Sequence, residues 1–154
     1  MCDLQFDSDE FKSVIEQLVP DHQKTKVLSA LDLQNATEAD FNEMGTALTG
    51  EQSVGGFIFY TSTGARSKLS LWAAIKAELY DLFCTASNKY AAERKDGVLT
   101  IKNTVTVIAT AVAASFNLAL GVVMGAVTLA LMCLLKIGRN AWCSVNQPSA
   151  VGGS

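Results

Sequence analysis

Asn103 to Leu135 reads NTVTVIATAVAASFNLALGVVMGAVTLALMCLL, thirty-three residues without a charge, held between Lys102 and Lys136. About 20 residues of helix cross a bilayer's hydrocarbon core, and an uncharged apolar run of about 18 or more is how such a helix shows itself. The run is not uniform. Leu118–Leu135 is dense in large aliphatics, whereas Thr104–Phe116 is rich in Thr, Ala and Val. Ser115, Phe116 and Asn117 divide the halves, and Asn tolerates turns and competes for backbone hydrogen bonds.

Three foldings of this run compete. One helix from Leu118 to Ile137 can span a membrane, with the Thr/Ala half as a lead-in. One long helix of ~1.5 Å per residue would reach about 50 Å, more than the ~30 Å hydrocarbon core requires. A helical hairpin would have arms of 13 to 18 residues, short for a full span but ordinary for a buried pair. A soluble all-α domain with that hairpin as its core is the rival to the membrane reading, because a central helix is also apolar all round.

Gly121 and Gly125 stand four apart and Thr128 follows three later, so the three share one helix face. Small residues on one face let a second backbone approach closely. The expected use is helix packing, either in a homo-oligomer or against the Ala109/Ala113 face of the preceding half.

Charge is laid out unevenly. Residues 1–51 carry eleven acids against Lys12, Lys24 and Lys26, while residues 52–102 carry seven bases against four acids. Bases therefore gather around the run: Lys95 and Lys102 before it, Lys136 and Arg139 after it. By the positive-inside rule such flanks mark the cytoplasmic side, which places the acidic N-terminal region there. A cytoplasmic soluble protein is the alternative. No secretory leader is read in the first thirty residues, and no basic stripe with interleaved aromatics suggests nucleic acid.

The chain divides by composition into an acidic helical region (1–50), a linker or short β-hairpin (51–70), an amphipathic helix (71–97), the apolar segment (103–137) and a disordered tail (144–154). In the first region Asp7 or Ser8 can cap a helix with Phe11, Val14, Ile15 and Leu18 on one stripe. Residues 21–33 place Val27, Leu28, Leu31 and Leu33 on a second face. Thr37 and Asp40 form a capping box for a third helix carrying Phe41, Met44 and Leu48. Ser70 can cap a helix running to about residue 95, in which Trp72, Ile75, Leu79 and Phe83 recur at helical spacing. Those four are the candidates to face a partner or a bilayer surface; packing into a core is the plain alternative.

Chemistry is sparse. His22 is the only histidine, and none of GxSxG, HExxH or DxDxDG occurs. The four cysteines, Cys2, Cys84, Cys133 and Cys143, lack metal-ligand spacing. A Cys84–Cys143 disulfide runs against the cytoplasmic setting, so Cys84 and Cys133 are read as buried small hydrophobes. The expected protein is mostly α-helical and non-enzymatic, with no cofactor or metal. It would be a membrane-associated protein with a cytoplasmic partner-binding or sensing region and a segment that anchors, oligomerises or, as an effector, perturbs the membrane. The alternative is a soluble all-α adaptor or assembly subunit with a buried apolar hairpin.

Overall fold

The uncharged run breaks at Asn117. In the computed structural model its first half is a helix, Ile101–Phe116, and its second half another, Leu120–Ile137. Asn117 takes a left-handed backbone (φ 58°), a conformation that Asn tolerates better than most residues. Around it Leu118 N–H bonds to Ala113 O (2.9 Å) and Asn117 N–H to Ala114 O (3.3 Å). That pair of bonds is the Schellman helix stop, which satisfies carbonyls a helix end would otherwise orphan. Of the three foldings, the hairpin is the one adopted.

The structure describes residues 4, 6–49, 53–54, 57–58, 71–85, 88–92 and 100–146. Among the described residues the α-helices with both ends placed are, in chain order, α1 (Ser8–Leu18), α2 (Asp21–Leu31), α3 (Glu38–Leu48), α4 (Leu71–Cys84), α5 (Ile101–Phe116), α6 (Leu120–Ile137) and α7 (Arg139–Val145). The fold is mostly α, as expected. Between α3 and α4, Ser53–Val54 pairs antiparallel with Phe57–Ile58, inside the stretch read as a linker or a short β-hairpin. A 3-10 turn, Asn88–Tyr90, follows α4.

Local signals set most of these boundaries. Asp7 caps α1, its carboxylate accepting from Glu10 N–H (3.1 Å). Thr37 and Asp40 complete the capping box of α3, with Asp40 N–H to Thr37 Oγ1 at 3.3 Å and Thr37 N–H to Asp40 Oδ2 at 2.9 Å. Thr100 caps α5 in the same way through Asn103 N–H (3.0 Å). Gly138 ends α6 with φ 106°, outside the range open to side-chain-bearing residues, and turns the chain into α7.

Three expectations shift. The amphipathic helix stops at Cys84 rather than near residue 95, where Cys84 is bonded to Cys143. The face of α2 comprises Gln23, Val27, Ala30 and Leu31, while Leu33 lies past its end and is exposed. Residues 144–146, read as the start of the tail, belong to α7 and its end, while 147–154 lie outside the described residues. Ser70, the expected cap of α4, lies outside them as well.

Helix α6 is the axis of the fold. Each of the other six described helices touches it, and α5 does so along the greatest length. Val123 through Leu134 are buried without a break, so here the all-round apolar composition meets protein on every side. Helix α5 instead buries one stripe, Ile101, Thr104, Val105, Ile108, Ala109, Val112 and Ala113, and turns Thr106, Thr110 and Ala114 outward.

Candidate functional site

The hairpin α5–α6 is the part of the molecule with unusual chemistry, and its polarity runs from end to end. At the base stand Lys102, Lys136 and Arg139. At the tip, Leu118, Leu120 and Val122 are 38%, 41% and 46% exposed, with Phe116 half-buried beside them. No charge lies between the two ends. Three large aliphatics are thus left partly in water around one turn, with the exposed Asn117 beside them.

The polar side chains inside the arms look after themselves. Thr104, Thr106, Thr110 and Thr128 each donate a hydroxyl hydrogen bond to the carbonyl four residues earlier, at 2.7–2.9 Å. A hydroxyl so bonded needs no partner from outside its own helix. Helix α6 is the one described helix long and apolar enough to cross a membrane, a property it shares with central helices of soluble domains.

Three polar clips fasten the hairpin to α1 and α2. Gln23, buried on α2, accepts from Gly125 N–H (3.1 Å) and donates to Val122 O (3.4 Å). Its amide lies so close that a Cβ at Gly125 would overlap Gln23 Oε1. Glu10 of α1 accepts from Ile101 N–H (3.0 Å), setting a carboxylate at the positive end of α5. Lys136 donates to Leu31 O (3.0 Å) and Leu33 O (2.7 Å), setting an ammonium at the negative end of α2, and lies 5.3 Å from the Phe6 ring centroid.

A second set of contacts joins α3, α4 and α7 to one another beside the base of the hairpin. Lys76 bridges Glu38 (3.0 Å) and Asn42 (3.0 Å), Trp72 Nε1 donates to Asn42 (2.8 Å), and Asn146 donates to Glu38 (2.7 Å). Trp142 of α7 is buried. The Cys84–Cys143 disulfide joins α4 to α7 with a Cα–Cα distance of 5.7 Å. Sequence reasoning set this bond aside on compartment grounds; helix packing brings the two cysteines together from 59 residues apart. Cys133 is buried and free, as expected.

The structure sorts the sequence candidates as follows. Gly121 and Gly125 face α2: the nearest neighbour to a Cβ at Gly121 is Pro20 Cγ at 3.7 Å, and at Gly125 it is Gln23. Thr128 is buried on the same helix. Trp72, Ile75, Leu79 and Phe83 do not face outward; all four are buried, where α4 packs on α3, α5 and α6. Among the flanking bases, Lys136 is engaged by α2, Lys102 and Arg139 are exposed, and Lys95 lies outside the described residues. Gln23 and Glu10 were missed. Gln23 had a signal, since residues 23, 27, 30 and 31 form an unbroken helical stripe whose first member happens to be polar. Glu10 had none, because a carboxylate in a first turn already has a reason to be there.

An open cleft of about 780 Å³ runs beside α4, lined by Asn42, Trp72, Lys76, Tyr80, Asp81 and Asn146 among others. Among the described residues no three His, Cys, Asp or Glu side chains converge as a metal site. Compared with protein-family models, curated proteins and solved structures, the chain matches none of them.

Proposed function

We propose that this is a non-enzymatic, membrane-active protein that stores an uncharged helical hairpin within a jacket of short helices and delivers it to a lipid bilayer. The observation that carries the reading is the hairpin itself: two arms without charge, hydroxyls bonded within their own helices, bases at one end and exposed aliphatics at the other. A core helix of a soluble domain needs burial; it does not need its turn to be apolar and in water.

The jacket is the acidic part of the chain, α1 to α3, with α4 and α7 at the base. On this reading it is also the partner-binding or sensing region, because whatever displaces α2 breaks the Gln23 contacts to α6 and the Lys136 contacts to Leu31 and Leu33 together. Release would also free the Gly121, Gly125 and Thr128 face for a second copy. The basic flanks argue for a cytoplasmic jacket. A persistent Cys84–Cys143 bond would instead favour an oxidising compartment, and because α4 and α7 are held to α3 through Glu38 one compartment contains them all; alkylation in intact cells followed by diagonal electrophoresis decides between the two.

The test is flotation with lipid vesicles. Purified protein should float with lipid, resist salt and carbonate washes, and come off in detergent. A chain that stays monodisperse and ignores vesicles sinks the proposal. It would favour the second reading, a soluble adaptor or assembly subunit, which the unbroken burial of Val123–Leu134 supports.

A further inference from the structure

We infer that the hairpin enters the bilayer tip first and stays a two-helix insert, with Ile101 and Ile137 on the same face of the membrane. This rests on the membrane reading above and adds the direction and topology of insertion.

Direction follows from where the charges are. Lys102, Lys136 and Arg139 sit at the base and none lies between Asn103 and Leu135. Leading with the base would draw ammonium and guanidinium groups through hydrocarbon; leading with the tip draws none. The tip also needs no unmasking, since Leu118, Leu120 and Val122 are already in water. Arms of sixteen and eighteen residues extend about 24 Å and 27 Å at ~1.5 Å per residue, close to a ~30 Å core. A fully inserted tip therefore reaches the far headgroups, where the amide of Asn117 can be hydrated.

Topology follows from the disulfide. Cys84 and Cys143 close a covalent loop around the whole uncharged run, with their Cα atoms 5.7 Å apart. Were α6 alone to span, α5 would lie on the far side, and the stretch from Thr85 to Thr100 would have to return through the bilayer. That stretch holds Lys89, Glu93, Arg94, Lys95 and Asp96. The two-helix insert needs no such crossing: both ends of the loop stay where the bond is.

The experiment uses the full chain with Cys84–Cys143 oxidised and Cys2→Ser and Cys133→Ser, labelled with a nitrobenzoxadiazole dye at Leu118→Cys or, separately, at Asn103→Cys. Val122→Cys stands in for the tip should Leu118→Cys fold poorly. Vesicles of phosphatidylcholine with a minor share of phosphatidylglycerol are added, followed by dithionite, which bleaches only dye exposed to the outer solution. The expected result is a blue shift and loss of bleaching at Leu118→Cys, with bleaching retained at Asn103→Cys. Bound protein whose Leu118→Cys dye still bleaches overturns tip-first insertion alone. A protected Asn103→Cys dye overturns the shared face for the two ends. Absence of vesicle binding by any variant, and by the unlabelled chain, overturns the membrane reading and this inference with it.

Discussion

Helices α5 and α6 come from one uncharged stretch, yet they live in different surroundings. Helix α6 is buried from Val123 to Leu134 on every side, while α5 buries one stripe and shows Thr106, Thr110 and Ala114 to water. The difference lies in residue size rather than charge. Threonine and alanine tolerate a water-facing position, particularly when the hydroxyl is bonded to its own helix, whereas Leu129, Leu131 and Met132 do not. Absence of charge thus marks a segment as able to be buried and leaves open how much of it is.

The contrast is broken most directly at the axis. Leu131→Ala, at a fully buried position of α6, should cost about 2–5 kcal/mol in urea unfolding through lost contacts and a cavity. A cost near zero would mean that α6 is not the centre of the fold. Next comes the tether: Cys84→Ser should lower stability by about 2–4 kcal/mol against the oxidised chain, because the bond closes a long loop. An unchanged midpoint under oxidising conditions would argue that the bond does not form in solution.

The two glycines sharpen the comparison further. Gly125→Ala should cost about 1–3 kcal/mol by driving a methyl group into Gln23, and Gln23→Ala should relieve most of that in the double variant. Gly121→Ala meets only Pro20 at ordinary contact distance and should be neutral or stabilising by up to about 1 kcal/mol. Equal effects at both positions would show that the close approach of α2 is wrong. Lys136→Met should cost about 1 kcal/mol by removing an ammonium from the end of α2. The smallest effect belongs to the outer face of α5, where Thr110→Val should stay within about 0.5 kcal/mol. A loss there as large as at Leu131 would erase the distinction between the arms.

Much of the helical layout was legible because its signals are local. The Asp7 cap, the Thr37/Asp40 capping box, the stripe Phe11–Val14–Ile15 and the break at Asn117 all act within a few residues. Less of the candidate site was legible. Trp72, Ile75, Leu79 and Phe83 carry a periodicity that says a face will be covered, and nothing in it says whether the cover is a partner, a bilayer or α3, α5 and α6. Gly121 and Gly125 announce a close approach in the same anonymous way. That the approaching group is Pro20 and Gln23, a hundred residues away in the chain, is a matter of packing.

By itself, then, the sequence determined an α-helical chain with an uncharged run, bases flanking both of its ends and a turn in the middle, because periodicity, caps and charge are properties of neighbouring residues. Only the tertiary structure decided that α6 is the axis, that Gln23, Glu10 and Lys136 fasten the hairpin, and that Cys84 meets Cys143. Those are contacts between distant segments, and they exist only once six helices have competed for the same apolar surface and settled around it.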